Sequence, residues 1–93
     1  MRISHLDHLV LTVADIPTTV NFYEKVLGMK AVSFGSGRIA LEFGHQKINL
    51  HQLGNEFEPK AQNVRAGSAD LCFITDTVLS DGNLIEVSTY SNT

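Results

Sequence analysis

Apolar residues are nearly continuous from Leu6 to Val13, yet the parity is readable: Leu9, Leu11 and Val13 fall on one side, His8, Val10 and Thr12 on the other. That run predicts a strand buried on both faces. The period then changes, with Ile16, Val20, Tyr23 and Leu27 at helical spacing over Ile16 to Leu27. Asp15 is placed to cap this helix, Pro17 sits where a missing N–H costs least, and Gly28 supplies the left-handed residue that ends it. Period two returns in Met29 to Phe34 and Arg38 to Phe43, joined by Gly35-Ser36-Gly37, and again in Lys47 to Leu53 after a turn at Gly44-His45-Gln46. Strand, helix and three strands make a βαβββ module over residues 1–53.

Residues 54–67 follow neither period and are polar, so they read as a linker or site loop covering whatever the sheet encloses. From Ala69 to Asp76 the first strand is restated. With Asp70 set against His8, Leu71, Phe73 and Thr75 take the places of Leu9, Leu11 and Val13. Asp76, like Asp15, is placed to begin a helix, but only Thr77 to Ser80 follow before Asp81-Gly82 opens a last strand, Asn83 to Tyr90. A complete second module needs a helix and two strands more, about 35–40 residues at average lengths. Residues 68–93 therefore read as a partial second module in a single α+β domain. Its unpaired strand edges are expected to recruit a second copy, giving a homodimer that completes a barrel by exchanging modules.

The composition narrows this picture. A chain of 93 residues buries roughly two-thirds or less of its unfolded surface and gains from a partner or a metal. With 43% hydrophobic and 18% charged residues it is a folded domain and not a disordered tail. A net charge of −3 leaves no basic footprint, which argues against nucleic acid as a partner. The one cysteine, Cys72, cannot form an internal disulfide and fits a reducing compartment. No apolar run approaches membrane-spanning length and no leader pattern follows Met1, so the expectation is a soluble cytoplasmic protein with no membrane partner.

Three segments, in this order and spacing, carry a resemblance: Asp7-His8-Leu9-Val10-Leu11-Thr12-Val13, Phe22-Tyr23-Glu24-Lys25-Val26-Leu27-Gly28, and Asp81-Gly82-Asn83-Leu84-Ile85-Glu86-Val87. The chain resembles the vicinal oxygen chelate superfamily, which includes glyoxalase I, fosfomycin-resistance proteins, extradiol dioxygenases, methylmalonyl-CoA epimerase and bleomycin-binding proteins. Lys47 to Gln52 and Glu56 to Ala61 resemble in particular a glyoxalase-like branch of enteric bacteria described as virulence-associated and lactoylglutathione-lyase-like. The resemblance implies an open mixed β-sheet barrel built from paired βαβββ modules around a divalent metal. It implies His8 and Glu86 as metal ligands, with Glu86 also the catalytic carboxylate. At the start of the second module, where relatives usually carry histidine, this chain has Asp70. Asn49 stands where some relatives place a glutamate or glutamine ligand, and His51 lies two residues beyond.

The implied activity is a divalent-metal-dependent, glyoxalase-I-like lyase or isomerase acting on a small vicinal-oxygen substrate, with glutathione a candidate co-substrate. Two alternatives stand beside it: an antibiotic-binding or resistance module of the bleomycin or fosfomycin type, and an inactive dimerisation module. Parity allows His8, Asn49, His51, Asp70 and Glu86 to face one side of a curved sheet. Imidazole nitrogen and carboxylate oxygen suit Ni, Zn, Mn or Fe without a thiolate. Such a metal polarises vicinal oxygens while a carboxylate moves the proton. Glu42, on the parity of Ala40, is a second carboxylate near the cavity. Strand alternation turns Asp7 away from His8, so a backbone carbonyl is expected to fix the ring.

Each residue also has a plainer role. His8 can be a core histidine and Asp70 the cap of a turn. His51 can be a surface residue on an edge strand, Tyr23 and Cys72 core filling, and Glu56, Glu58 and Lys60 ordinary loop residues. Glu86 can be a solvated strand residue, although Leu84, Ile85 and Val87 around it argue for burial.

Overall fold

The first βαβββ module folds as its periodicity dictates. β1 (His8–Val13), α1 (Ile16–Lys25), β2 (Lys30–Phe34), β3 (Arg38–Phe43) and β4 (Gln46–Gln52) form a four-stranded mixed sheet ordered β1-β4-β3-β2 with one helix against it. The computed structural model describes residues 1–79 and 82–88. β1 runs parallel to β4, which the intervening helix and strands allow, and the remaining pairs are antiparallel. Beyond β4 the connecting segment leads to β5 (Asp70–Leu79) and β6 (Gly82–Ser88), which form a separate antiparallel pair. The sheet does not close into a barrel, and β5–β6 is a partial second module. No described helix is long and apolar enough to cross a membrane.

The helix start is fixed from two directions. The Asp15 carboxylate accepts from Thr18 N at 2.9 Å, filling one of the N–H groups that a first turn leaves unpaired. The Gln52 side chain reaches back from the end of β4: its Oε1 accepts from Ile16 N at 3.0 Å while its Nε2 donates to Ala14 O. At the other end Gly28 takes a positive φ of 69°, and the chain turns into Met29.

The core lies between sheet and helix. Leu11, Val13, Leu41, Ile48 and Leu50 project from one sheet face onto Tyr23, which is 1% exposed. Leu71 and Phe73 of β5 and Val87 of β6 pack into the same cluster, Phe73 meeting Phe43 edge to face at 5.4 Å between ring centres. The parity read in β1 holds, but its other face is only partly covered: His8 is exposed and Val10 is 37% exposed, whereas Thr12 at the far end is 7% exposed. The strand is buried on both sides only toward its C-terminal end.

The expected helix start at Asp76 is replaced by strand, since β5 runs on to Leu79. A segment as short as Thr77 to Ser80 has no helical face to bury, and directly joined strands can pair only antiparallel. The register is interrupted between Ile74 and Leu79. The Ser80–Asp81 junction and the end of the last predicted strand, Thr89 and Tyr90, lie outside the described residues.

Candidate functional site

On the sheet face turned away from α1, side chains stand in cross-strand rows. The first row is His8, Lys47, Glu42 and Lys30, and the second is Val10, Asn49, Ala40 and Val32. In the third, Thr12 pairs with His51 and Arg38 with Phe34, and the β3–β4 register continued by one step sets Arg38 opposite His51. One row is charged, one is apolar around a single amide, and one carries a histidine beside a guanidinium.

His8 stands at the start of β1, and its Nδ1 lies 2.8 Å from Asp7 Oδ2. This corrects the expectation of a backbone partner. Asp7 precedes the first strand residue, so strand alternation does not bind it and its side chain folds back onto the ring. The same hydrogen bond holds the Asp7 carboxyl below its usual value. A carboxylate on one ring nitrogen leaves Nε2 as the nitrogen available to a ligand.

His51 is not on an edge. β4 is flanked by β1 and β3, and His51 is only 6% exposed. Phe57, from the connecting segment, meets it edge to face at 5.8 Å, and the Arg38 guanidinium lies 4.5 Å from the centre of the Phe57 ring. His51 Nδ1 and Asn49 Oδ1 are both buried without a hydrogen-bond partner. Burial holds the His51 pKa below its usual value, with Arg38 and Lys60 pushing the same way and Glu56 and Glu58 opposing. The segment therefore covers this face as expected, through Phe57. Glu56 is more than a solvated loop residue: its carboxylate accepts from Gly54 N at 2.6 Å and sits 3.4 Å from Lys60 Nζ. Glu42 stands on this face and is exposed.

The hairpin places its candidates differently. Leu71, Phe73 and Val87 face the core, so Asp70, Cys72 and Glu86 share the outward parity, with Cys72 directly across from Glu86. All three are exposed. Burial of Glu86 and core packing of Cys72 are thus corrected by a single physical cause, the choice of Val87 and Leu71 as the inward residues. Asp70 and Glu86 border one open cleft, whereas His8 borders another of about 170 Å³ with Asp7, Lys47 and Cys72. A roomier cleft of about 640 Å³, between the end of α1, the β3–β4 turn and β5, contains none of the predicted ligands.

Within one chain these residues do not fit a complete metal site. His8 and His51 share a face but stand four register positions apart, a separation of about 13 Å at the rise of a strand. Among the described residues no group of three or more His, Cys, Asp or Glu side chains gathers around a common point. What the fold does supply is one carboxylate-anchored histidine and, along the same face, two buried polar atoms without partners. Arg38 and Phe57 were not among the predicted site residues. Arg38 shares the parity of Ala40 and Glu42, a signal available in the sequence, whereas Phe57 was marked only as part of the Glu56 to Ala61 segment that carries the resemblance.

Comparison with known proteins adds the relatives. The chain is 63% identical over 81 residues to Virulence protein STM3117 of Salmonella typhimurium, covering 87% of this chain and 56% of that protein. It is 54% identical over 81 residues to the Glyoxalase domain-containing protein RDO1 of Mycosarcoma maydis, covering 46% of it. The chain thus spans about half the length of these curated relatives. Among solved structures, an integron cassette protein from the mobile metagenome of V. Cholerae matches with a TM-score of 0.83 and 95% identity, covering 87% of this chain and 63% of that one. The crystal structure of the Salmonella virulence protein matches with a TM-score of 0.81, 65% identity and coverage of 83% and 61%. A lactoylglutathione lyase from Agrobacterium tumefaciens, 22% identical with a TM-score of 0.54 over 74% of this chain and 54% of that one, shares the fold. A family model matches residues 5–80, and the chain belongs to the Glyoxalase/Bleomycin resistance protein/Dioxygenase superfamily.

Proposed function

We propose that the chain contributes half of a divalent-metal-dependent, glyoxalase-I-like lyase or isomerase site for a small substrate with two vicinal oxygens, working in the cytoplasm as a homodimer. The observation that carries this reading is the Asp7–His8 pair at 2.8 Å: a carboxylate fixes the tautomer and orientation of an imidazole and leaves Nε2 free, as histidines that hold metals require. His8 is the ligand this chain offers. Nickel, zinc, manganese or iron bound there would polarise the substrate oxygens.

The remaining ligands come from the second copy, whose Glu86 and Asp70 are exposed and free to meet a partner's His8. Glu86 is then the carboxylate that moves the proton. Glutathione, as thiol co-substrate, fits this reading without being required by it.

The test is a calorimetric titration of chelator-treated protein with Ni²⁺ or Zn²⁺, alongside light scattering. We expect binding by a dimer, abolished in His8→Ala and weakened at least tenfold in Asp7→Asn. No binding, or equal binding by His8→Ala, overturns the reading. A second reading, a metal-free antibiotic-binding module, draws on the partnerless Asn49 Oδ1 and His51 Nδ1 beside the Phe57 ring. Bleomycin or fosfomycin binding that persists in chelator would favour it.

A further inference from the structure

A groove runs between the first module and the hairpin. Its wider part, about 640 Å³, is lined by Leu27 and Met29 after α1, Phe43 of β3, and Phe73 and Ile74 of β5, and by no residue of the open sheet face's three rows. Phe43, Cys72 and Phe73 also line the cleft of about 170 Å³, so the two run together, and the smaller one reaches Leu6. Ile74 is 82% exposed at the rim, and Phe73 is only half-buried. β5 restates β1, but where β1 is covered by α1, no described helix covers β5.

The same chain exposes an apolar segment that suits this groove. Residues 1–7 precede β1 and form neither helix nor strand, and Met1, Ile3 and Leu6 are among the large apolar side chains left exposed, Ile3 at 79%. In an extended chain Met1 and Ile3 fall on one side, Arg2 and Ser4 on the other. Residues 1–6 contain no Gly, Pro, Asn or Asp to turn them back over their own root, and extended they reach about 20 Å, outward and onto a neighbour. The charges match as well. Residues 66–93 hold Asp70, Asp76, Asp81 and Glu86 and no Lys or Arg, whereas the arm carries Arg2. Asp76 is exposed directly after Thr75, which lines the groove.

We infer that the groove receives the N-terminal arm of a second copy: Met1 and Ile3 against Phe43, Phe73 and Ile74, and Arg2 outward toward the acidic edge of β5. The exchange is reciprocal, as a two-fold dimer requires. Arm and groove then leave water together, which neither does in a single chain. The inference rests on the homodimer of the proposed function and names the surface that holds it; no metal takes part. Because His8 stands two residues beyond Leu6, an arm seated there also brings His8 beside the second copy's hairpin.

The experiment combines light scattering with disulfide trapping, both in chelator. The wild-type chain is expected to be a dimer, Ile3→Asp to weaken dimerisation at least tenfold, and Arg2→Glu a few-fold. Both positions are exposed, so the variants should fold as the wild type does, which urea denaturation checks. For trapping, wild-type chain is mixed under a mild oxidant with a double variant, Ile3→Cys and Cys72→Ser. A disulfide between the two kinds of chain then joins the introduced thiol of one to the groove's Cys72 of the other. Mass spectrometry is expected to find this cross-link at least tenfold more often than with Asn21→Cys and Cys72→Ser, whose thiol sits on the exposed side of α1. Equal yields from the two mixtures, or a monomer of Ile3→Cys that closes a disulfide within its own chain, overturns the inference. A dimer that Ile3→Asp leaves as tight as wild type overturns the arm and leaves the homodimer of the proposed function standing. A wild-type chain that is monomeric in chelator overturns the inference, and one still monomeric with Zn²⁺ overturns that homodimer as well.

Discussion

The two halves of this chain start from similar strands and arrive at different pairings. In the first, β1 and β4 lie parallel, with a helix and two strands inserted between them, and the inward apolar residues of β4, Ile48 and Leu50, are buried. In the second, β5 and β6 are joined directly and pair antiparallel, and of their inward residues Val87 is buried while Leu71 and Phe73 are only partly so. The difference teaches that a strand's sequence sets which side chains share a face, but the connection sets which strand it meets and in what direction. His8 and Asp70 hold equivalent places in the two strands, yet the row of His8 is extended by three further strands and that of Asp70 by β6 alone.

If the first half carries the stability, matched truncations in the two halves must differ. Leu41→Ala empties a site that is 0% exposed and is expected to cost about 3 kcal/mol, whereas Leu71→Ala, at a half-buried position, should cost less than about 1.5 kcal/mol. Urea denaturation of both variants decides this, and equal costs would break the comparison.

The next effect is smaller. Gln52 ties the end of β4 to the start of α1 by bonding Ile16 N and Ala14 O, a clasp with no counterpart described in the hairpin. Gln52→Ala should cost about 1–2 kcal/mol, with faster hydrogen exchange confined to the first turn of α1.

The smallest effect is a pH dependence carried by His51 in the first half. Burial disfavours the charged form of His51, so the folded chain takes up its proton less readily than the unfolded chain, whose ring titrates near 6.5. Stability from this residue is full above that pH, falls as pH drops through it, and stops falling once the folded ring is also protonated. Replacing it as His51→Gln should flatten that part of the stability–pH curve, measured by urea denaturation between pH 7.5 and 5.

Most of the fold was legible in the sequence. β3 has its predicted bounds, β2 and β4 differ by a residue, and α1 stops at Lys25 because Val26 already serves as its cap. The division of β1 into Leu9, Leu11 and Val13 against His8, Val10 and Thr12 is a consequence of strand geometry and survives folding. Legibility ended where geometry depends on distant partners. Whether Val87 or Glu86 faces inward is decided by what lies beneath the hairpin, and His51 became a buried residue because β1 and β3 flank its strand and Phe57 lies against its ring. Asp7 shows a third limit: alternation has no authority one residue before a strand begins. Arg38 was on a readable face, but its significance comes from Phe57, contributed by a segment with no periodicity to read.

The measurement that tests the account most directly is a long-range ¹H–¹⁵N NMR spectrum of the imidazoles of His5, His8, His45 and His51, recorded before and after Zn²⁺ is added to chelator-treated protein. The account predicts that His8 shifts at Nε2 while its Nδ1 keeps the proton shared with Asp7, and that His5 and His45 do not move. Metal-induced shifts confined to His5 or His45, or none at His8, would contradict it.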